Sequence, residues 1–230
     1  MMKNSFLFFF IDAVTAVVLF LFIFSFSVTF TLNFRPLYYM DIKLLDIEAR
    51  SGIAEDEIRE NYDALIEYNS IFTEEELVFP TLAMSETGKI HFEEVKVIFV
   101  LFQKMALVTG VLGLAAVLWQ RRCDRRRGAE GDRCRGRWLK LAGVLTIVLP
   151  AILAAAMAIN WDKAFVLFHK IAFDNDYWIF DAATDPVITI LPDTFFFHCA
   201  AMIVAMVVAG SVLCLCLYAR LSRKHLGKNV

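Results

Sequence analysis

The chain has 230 residues, 59% of them hydrophobic, and a mean hydropathy of +0.59. A soluble domain is nearer half apolar, so the composition excludes an ordinary globular protein and points to membrane spans. The formal net charge is only −2, but acids and bases are segregated along the chain, and that segregation carries the topology.

Four stretches are long enough to cross a bilayer: about Phe6–Leu32, Val97–Trp119, Leu139–Ile159 and Phe195–Tyr218. Each is near the roughly 20 residues that a spanning helix needs. Backbone groups in lipid must bond within their own segment, so helices are expected. The predicted fold is an all-α membrane protein with four transmembrane helices in a single membrane domain. Two extracytoplasmic segments, 33–96 and 160–194, contain short helices, and a cytoplasmic loop covers 120–138. The first span is far longer than the roughly 7–15 apolar residues of a signal peptide, and no small-residue cleavage site follows it, so it reads as a retained anchor.

The first outward segment, Asn33–Lys96, carries 15 acids against 6 bases. Ile58, Tyr62, Leu65, Ile66 and Asn69 recur at helical spacing within it. Thr73 and Glu76 have the spacing of a capping box, Pro80 breaks the chain, and Ser85-Glu86-Thr87-Gly88 reads as a turn. "KIHFEEVKVIF" then runs into the second span. His91, Val95, Ile98 and Phe102 share one stripe of that helix, which sets His91 on a rigid element just above the membrane. Lys104 follows about a turn and a half below the boundary, where it can snorkel to the headgroups.

Eight arginines lie between Arg121 and Arg137, and Lys140 follows. Arg220, Arg223, Lys224 and Lys228 mark the C-terminal tail. The positive-inside rule places both regions, and the N-terminus with Lys3, in the cytoplasm. Because topology accounts for the basic loop, no nucleic-acid partner is implied. Cys123, Cys134, Cys214 and Cys216 fall on that reducing side, leaving Cys199 near the outer side and no extracytoplasmic disulfide. The only intramembrane acid is Asp12, and without a chain of ionisable groups through the bilayer a proton-coupled transporter is disfavoured.

The second outward segment, Asn160–Thr194, holds six acids and two bases. It opens with an amphipathic helix. Trp161, Ala164, Phe165, Phe168 and Ala172 form one face, expected toward lipid, with Lys163 and Lys170 opposite and His169 at the boundary. "FDNDYW" and "DPVITILPD" follow, where Asp185-Pro186 and Pro192-Asp193 restrain the backbone.

The chemistry therefore concentrates at the outer surface. His91 and His169 lie at one depth on different helices, and histidine suits proton transfer near neutrality. They can serve as base and acid on a lipid ester, or as amphipathic spacers. With an aspartate they would make a His₂Asp zinc set, but neither H-x₃-H nor HExxH spacing occurs, so no metal or other cofactor is assigned. Asp174, Asn175 and Asp176 can orient a histidine or cap a turn. Trp178 can do the same or belong to an aromatic belt. Cys199 beside His198 does not face it, since adjacent helical residues diverge by about 100°. No GxSxG elbow or glycine-rich phosphate loop is present.

The four-span outline, "IHFEEVKVIF" entering the second span and "FHKIAFDNDYW…DPVITILP" before the fourth resemble the bacterial lipoprotein intramolecular transacylase family over essentially the whole chain. The resemblance implies O-to-N acyl transfer within a diacylated lipoprotein, from the sn-2 glycerol oxygen to the amine of the N-terminal cysteine, giving a lyso-form lipoprotein. It implies that His91 and His169 are the two essential histidines and that membrane lipid surrounds the substrate. One departure is that Glu94 stands where the family pattern leads one to expect an aspartate. On this reading His169 is the base, steadied by Asp174 or Asp176, and His91 the acid or oxyanion donor. Lys104 or Arg35 would hold a polar group of the substrate. The alternatives are a metal- or Cys-dependent lipid hydrolase and a non-catalytic membrane scaffold or sensor.

Overall fold

A computed structural model describes residues 2–126 and 136–226. Part of the basic loop, with Arg127, Arg133, Cys134 and Arg135, lies outside the described residues, as does Lys228 of the tail. The described residues form helices and connecting turns, with no strand. The helices are α1 (Met2–Asn33), α2 (Arg35–Leu44), α3 (Ile47–Ser51), α4 (Glu55–Tyr68), α5 (Glu86–Arg126), α6 (Arg137–Ile159), α7 (Trp161–Ala172), α8 (Val187–Ile190) and α9 (Asp193–Leu226). Four of them, α1, α5, α6 and α9, are long and apolar enough to cross a membrane.

Contacts divide the chain into two compact units. One comprises Met1–Ser27, Met105–Leu153 and Val204–Val230, and among the described residues its helices are the long ones. Its polar groups bond within the protein, along one helix or between two, as a lipid-facing bundle requires. Thr15 Oγ1 donates to the Ile11 carbonyl at 2.8 Å, and Thr146 Oγ1 to the Ala142 carbonyl at 2.7 Å. Gln120, fully buried, donates from Nε2 to Asp12 Oδ1 at 2.9 Å. Helices α6 and α9 meet at Gly143, where an added Cβ would sit 2.8 Å from Leu215. That close approach lets Ser211 Oγ donate to the Gly143 carbonyl at 2.6 Å, the use of small residues common in membrane helix packing.

The other unit comprises Val28–Lys104 and Ala154–Ile203 and carries the short helices. Ile58, Tyr62, Leu65 and Ile66 of α4 are buried, as their spacing predicts, and Asn69 caps its end. Glu55, Asp56 and Glu57 in the first turn of α4 complement the helix dipole. Tyr38 of α2 stacks on Tyr62 with centroids 3.7 Å apart and meets the Phe195 ring edge-on. Its hydroxyl donates to the Ile190 carbonyl at 2.6 Å, tying α2 to the turn before α9. Burying each such aromatic contributes about 1.5–3 kcal/mol, so this unit has a core of its own kind, independent of lipid.

Two local expectations are corrected. Thr73 and Glu76 form no capping box, because no helix starts there. Thr73 Oγ1 instead donates back to the Glu67 carbonyl at 2.7 Å, closing the end of α4, and Glu76 pairs with Lys89. The next helix begins only at Glu86, capped by Ser85, whose Oγ accepts from the Gly88 amide at 3.0 Å. The faces of α7 are also reassigned. Trp161 packs on Phe197 and Phe165 on Phe196, so they face α9. The outward apolar face is Val166, Leu167, Phe168 and Ile171. Protein packing takes the larger aromatics because α9 lies alongside, which periodicity within α7 cannot reveal.

Candidate active site

Five residues into α5, His91 is 5% exposed. In the last turn of α7, His169 faces it with ring centroids 6.2 Å apart and planes tilted by 31°. The two imidazoles, separated widely in sequence, thus converge within one unit. Aromatic rings enclose them. Phe173 and Phe180 meet His91 edge-on at 4.8 Å and 5.4 Å. Trp178 lies 4.7 Å from the His169 ring, and Phe165 lies 4.2 Å from it.

Local backbone explains the convergence. Asn160 caps α7 by accepting from the Lys163 amide at 2.8 Å. Phe173 then turns to extended geometry while its amide bonds the His169 carbonyl at 2.9 Å, so the chain folds back over both histidines. Asn175 accepts from the Tyr177 amide at 3.0 Å, an Asx turn that presents Trp178. The start of α5 is fastened by Asp185, which is buried and accepts from the Ser85 amide at 2.8 Å. Gly88 permits this, because any Cβ there would collide with Asp185 Oδ1.

The protonation geometry of His169 is legible. Its Nδ1 lies 2.8 Å from the Phe165 carbonyl oxygen, which can only accept, so Nδ1 carries hydrogen and Nε2 presents the lone pair. Burial pulls the imidazole below the ordinary histidine value, opposed by that carbonyl and by the charge of Asp193. A neutral ring whose Nε2 carries the lone pair results. Among the described residues His91 Nδ1 is buried without a hydrogen-bond partner, and the two ring centroids are 6.2 Å apart.

Of the other residues singled out in the sequence, Asn175 and Trp178 join the site. Asp174 and Asp176 are exposed, and the partner expected from them for His169 is the Phe165 carbonyl instead. Arg35 is engaged elsewhere, with Nε 3.0 Å from Asp63 and Nη2 3.4 Å from Glu67. Lys104 is exposed on α5. Cys199 packs against the apolar core. Among the described residues no group of three His, Cys, Asp or Glu side chains is placed to hold a metal.

Sequence reading missed two features. Glu94 accepts from Asn175 Nδ2 at 2.8 Å, linking α5 to the loop over the histidines. Its spacing of three from His91 was the available signal, since such residues share a helix face. The second is an Asp41–His198 pair, with His198 Nδ1 at 2.9 Å and 2.8 Å from the two carboxylate oxygens. No local spacing announces it, as 157 positions separate the partners.

The family described as "Lipoprotein intramolecular transacylase Lit" matches residues 13–196. A solved in meso structure of the membrane integral lipoprotein intramolecular transacylase Lit from Bacillus cereus is 36% identical, with a TM-score of 0.87, covering 94% of this chain and 96% of that one. Two structures of the same Bacillus cereus protein, with one histidine replaced by arginine or by alanine, are each 34% identical. Their TM-scores are 0.81 and 0.83, with 98% and 97% of both chains covered respectively. No curated protein matches.

Proposed function

The chain belongs to the lipoprotein intramolecular transacylase family, and from that premise we propose that His91 and His169 move an acyl chain within a diacylated lipoprotein. The chain leaves the sn-2 glycerol oxygen and arrives on the amine of the N-terminal cysteine, giving the lyso-form. The observation that carries this reading is the facing pair itself: two imidazoles 6.2 Å apart, inside an aromatic enclosure, with one tautomer fixed.

His169 Nε2 takes a proton from the substrate ammonium, and the freed amine attacks the ester carbonyl. His91 donates to the oxyanion and to the departing glycerol oxygen. Substrate supplies both nucleophile and ester, so the protein needs no nucleophile of its own. Holding both ends of one molecule together makes the step effectively unimolecular, which is worth about 7–11 kcal/mol when orientation is good. The aromatic rings exclude water, the competing acyl acceptor.

Positive-inside bias puts both termini in the cytoplasm and the histidine pair at the outer leaflet, where lipoprotein glycerol lies. The outward apolar face of α7 rests in the lipid interface. Lys104 is available to a polar group of the substrate, whereas Arg35 is occupied by Asp63 and Glu67.

Expression in a host that makes diacylated lipoproteins, with mass spectrometry of N-terminal lipopeptides, tests the proposal. An acyl chain found on nitrogen, and retained on glycerol in the His91→Ala and His169→Ala strains, is the expected result. A chain that stays on glycerol with the wild-type protein, or still moves without both imidazoles, overturns it.

A further inference from the structure

We infer that Glu94 is the seat of the substrate amine. Resting on the acyl-transfer reading, this assigns a binding and orienting role to a residue that the sequence marks only as a departure from the family pattern.

Glu94 has two carboxylate oxygens. Oε1 accepts from Asn175 Nδ2 at 2.8 Å. Oε2 is buried and has no partner among the described residues. Glu94 is half-buried, and a carboxylate oxygen that is itself buried without a donor carries a desolvation cost, so the site is suited to receive one. A carboxylate only accepts, so its missing partner must bring N–H or O–H.

Placement narrows the donor. Glu94 shares a face of α5 with His91, three residues on. Asn175, which holds Oε1, belongs to the same short loop as Trp178, which packs on His169. Glu94 thus links α5, which carries His91, to the loop that packs on His169. In the proposed substrate the cysteine ammonium is the one cationic donor that must come beside them. Charge-assisted hydrogen bonds of this kind are the strong ones.

The proton count agrees. Of the three ammonium hydrogens, one goes to His169 Nε2, and the lone pair so released forms the C–N bond. As the C–O bond to glycerol breaks, His91 gives its hydrogen to the glycerol oxygen and takes up the second one from nitrogen, and His169 then releases the first to solvent. The third stays on the amide nitrogen and holds the nitrogen against Oε2 throughout. Glu94 therefore orients the nucleophile without competing for the proton that must leave.

The test uses full-length protein in nanodiscs and ether-linked dialkylglyceryl-cysteine lipopeptides, which bind but cannot transfer. One probe has a free amine and the other is N-acetylated, so its nitrogen is neutral. Wild-type protein is expected to bind the free-amine probe about tenfold or more tightly. Glu94→Gln keeps an oxygen for Asn175 but loses the charge, and should reduce the ratio to within about twofold. Absence of the preference in wild type, or its persistence in Glu94→Gln, overturns the assignment. If Glu94→Gln does not fold, Glu94→Asp serves, because its carboxylate sits one methylene back and the ratio should fall; an unchanged ratio overturns the assignment. Turnover of the ester-linked lipopeptide by wild type is measured in parallel. No turnover defeats the transacylase reading, whereas turnover with an unaltered amine preference defeats the role of Glu94 alone.

Discussion

Two histidine pairs occupy the same unit and differ in what surrounds them. His198 is held by both oxygens of the buried Asp41, a fixed contact between α2 and α9. His91 and His169 have no carboxylate on either ring; they face each other among Phe165, Phe173, Phe180 and Trp178, and only a backbone carbonyl orients one of them. A bidentate carboxylate locks an imidazole and serves the fold. An aromatic enclosure leaves the free nitrogens for whatever enters. A histidine's surroundings, more than its depth or its helix, distinguish the pair proposed to act on substrate from the ring held by the fold.

The comparison breaks most visibly on activity. His169→Ala and His91→Ala should each lower transfer by about 10²–10⁴-fold, the usual worth of a general acid or base, read by lipopeptide mass spectrometry. His198→Ala, assayed at a temperature where it stays folded, should lose less than about tenfold. Equal losses in all three would erase the distinction.

Stability reverses the order. Removing the His198 ring leaves the Asp41 carboxylate buried without its partner, and such single-partner deletions cost about 3–5 kcal/mol. The thermal unfolding midpoint in detergent should therefore fall further for His198→Ala than for His169→Ala, whose ring is half-buried. A smaller effect, about 1–3 kcal/mol, is expected for Gly88→Ala. Its methyl group would push Asp185 off the start of α5 and shift His91. That variant should lose activity and unfolding midpoint together.

The mildest probe is pH. Burial lowers the His169 pKa below 6.5, and the active ring is neutral. The rate should rise with pH through that lowered value and be past half-maximal at pH 6.5. A profile whose acid limb is centred at or above 6.5 would mean that the ring is not the buried neutral base described here.

Much of this was legible before any coordinates. Four helices long and apolar enough to cross a membrane cover the predicted stretches, because about twenty apolar residues in a row have few alternatives in water or lipid. Helix α4 and the entry of His91 into α5 followed from spacing. Thr73–Glu76 misled, because a capping box is a local pattern that also needs a helix to cap, and the chain there closes back on α4. The faces of α7 misled because an amphipathic pattern says how many sides are apolar but does not say which neighbour takes each one.

The sequence by itself determined the membrane class, the segregation of charge and the candidacy of His91 and His169. Those properties are additive along the chain or repeat with the helix period. The folded chain alone sets the two imidazoles face to face, has Phe165 rather than an aspartate fix the tautomer, pairs Glu94 with Asn175 and gives His198 to Asp41. Each of these depends on a contact between residues far apart in the chain or on the direction of one side chain, and neither leaves a periodic trace in the order of amino acids.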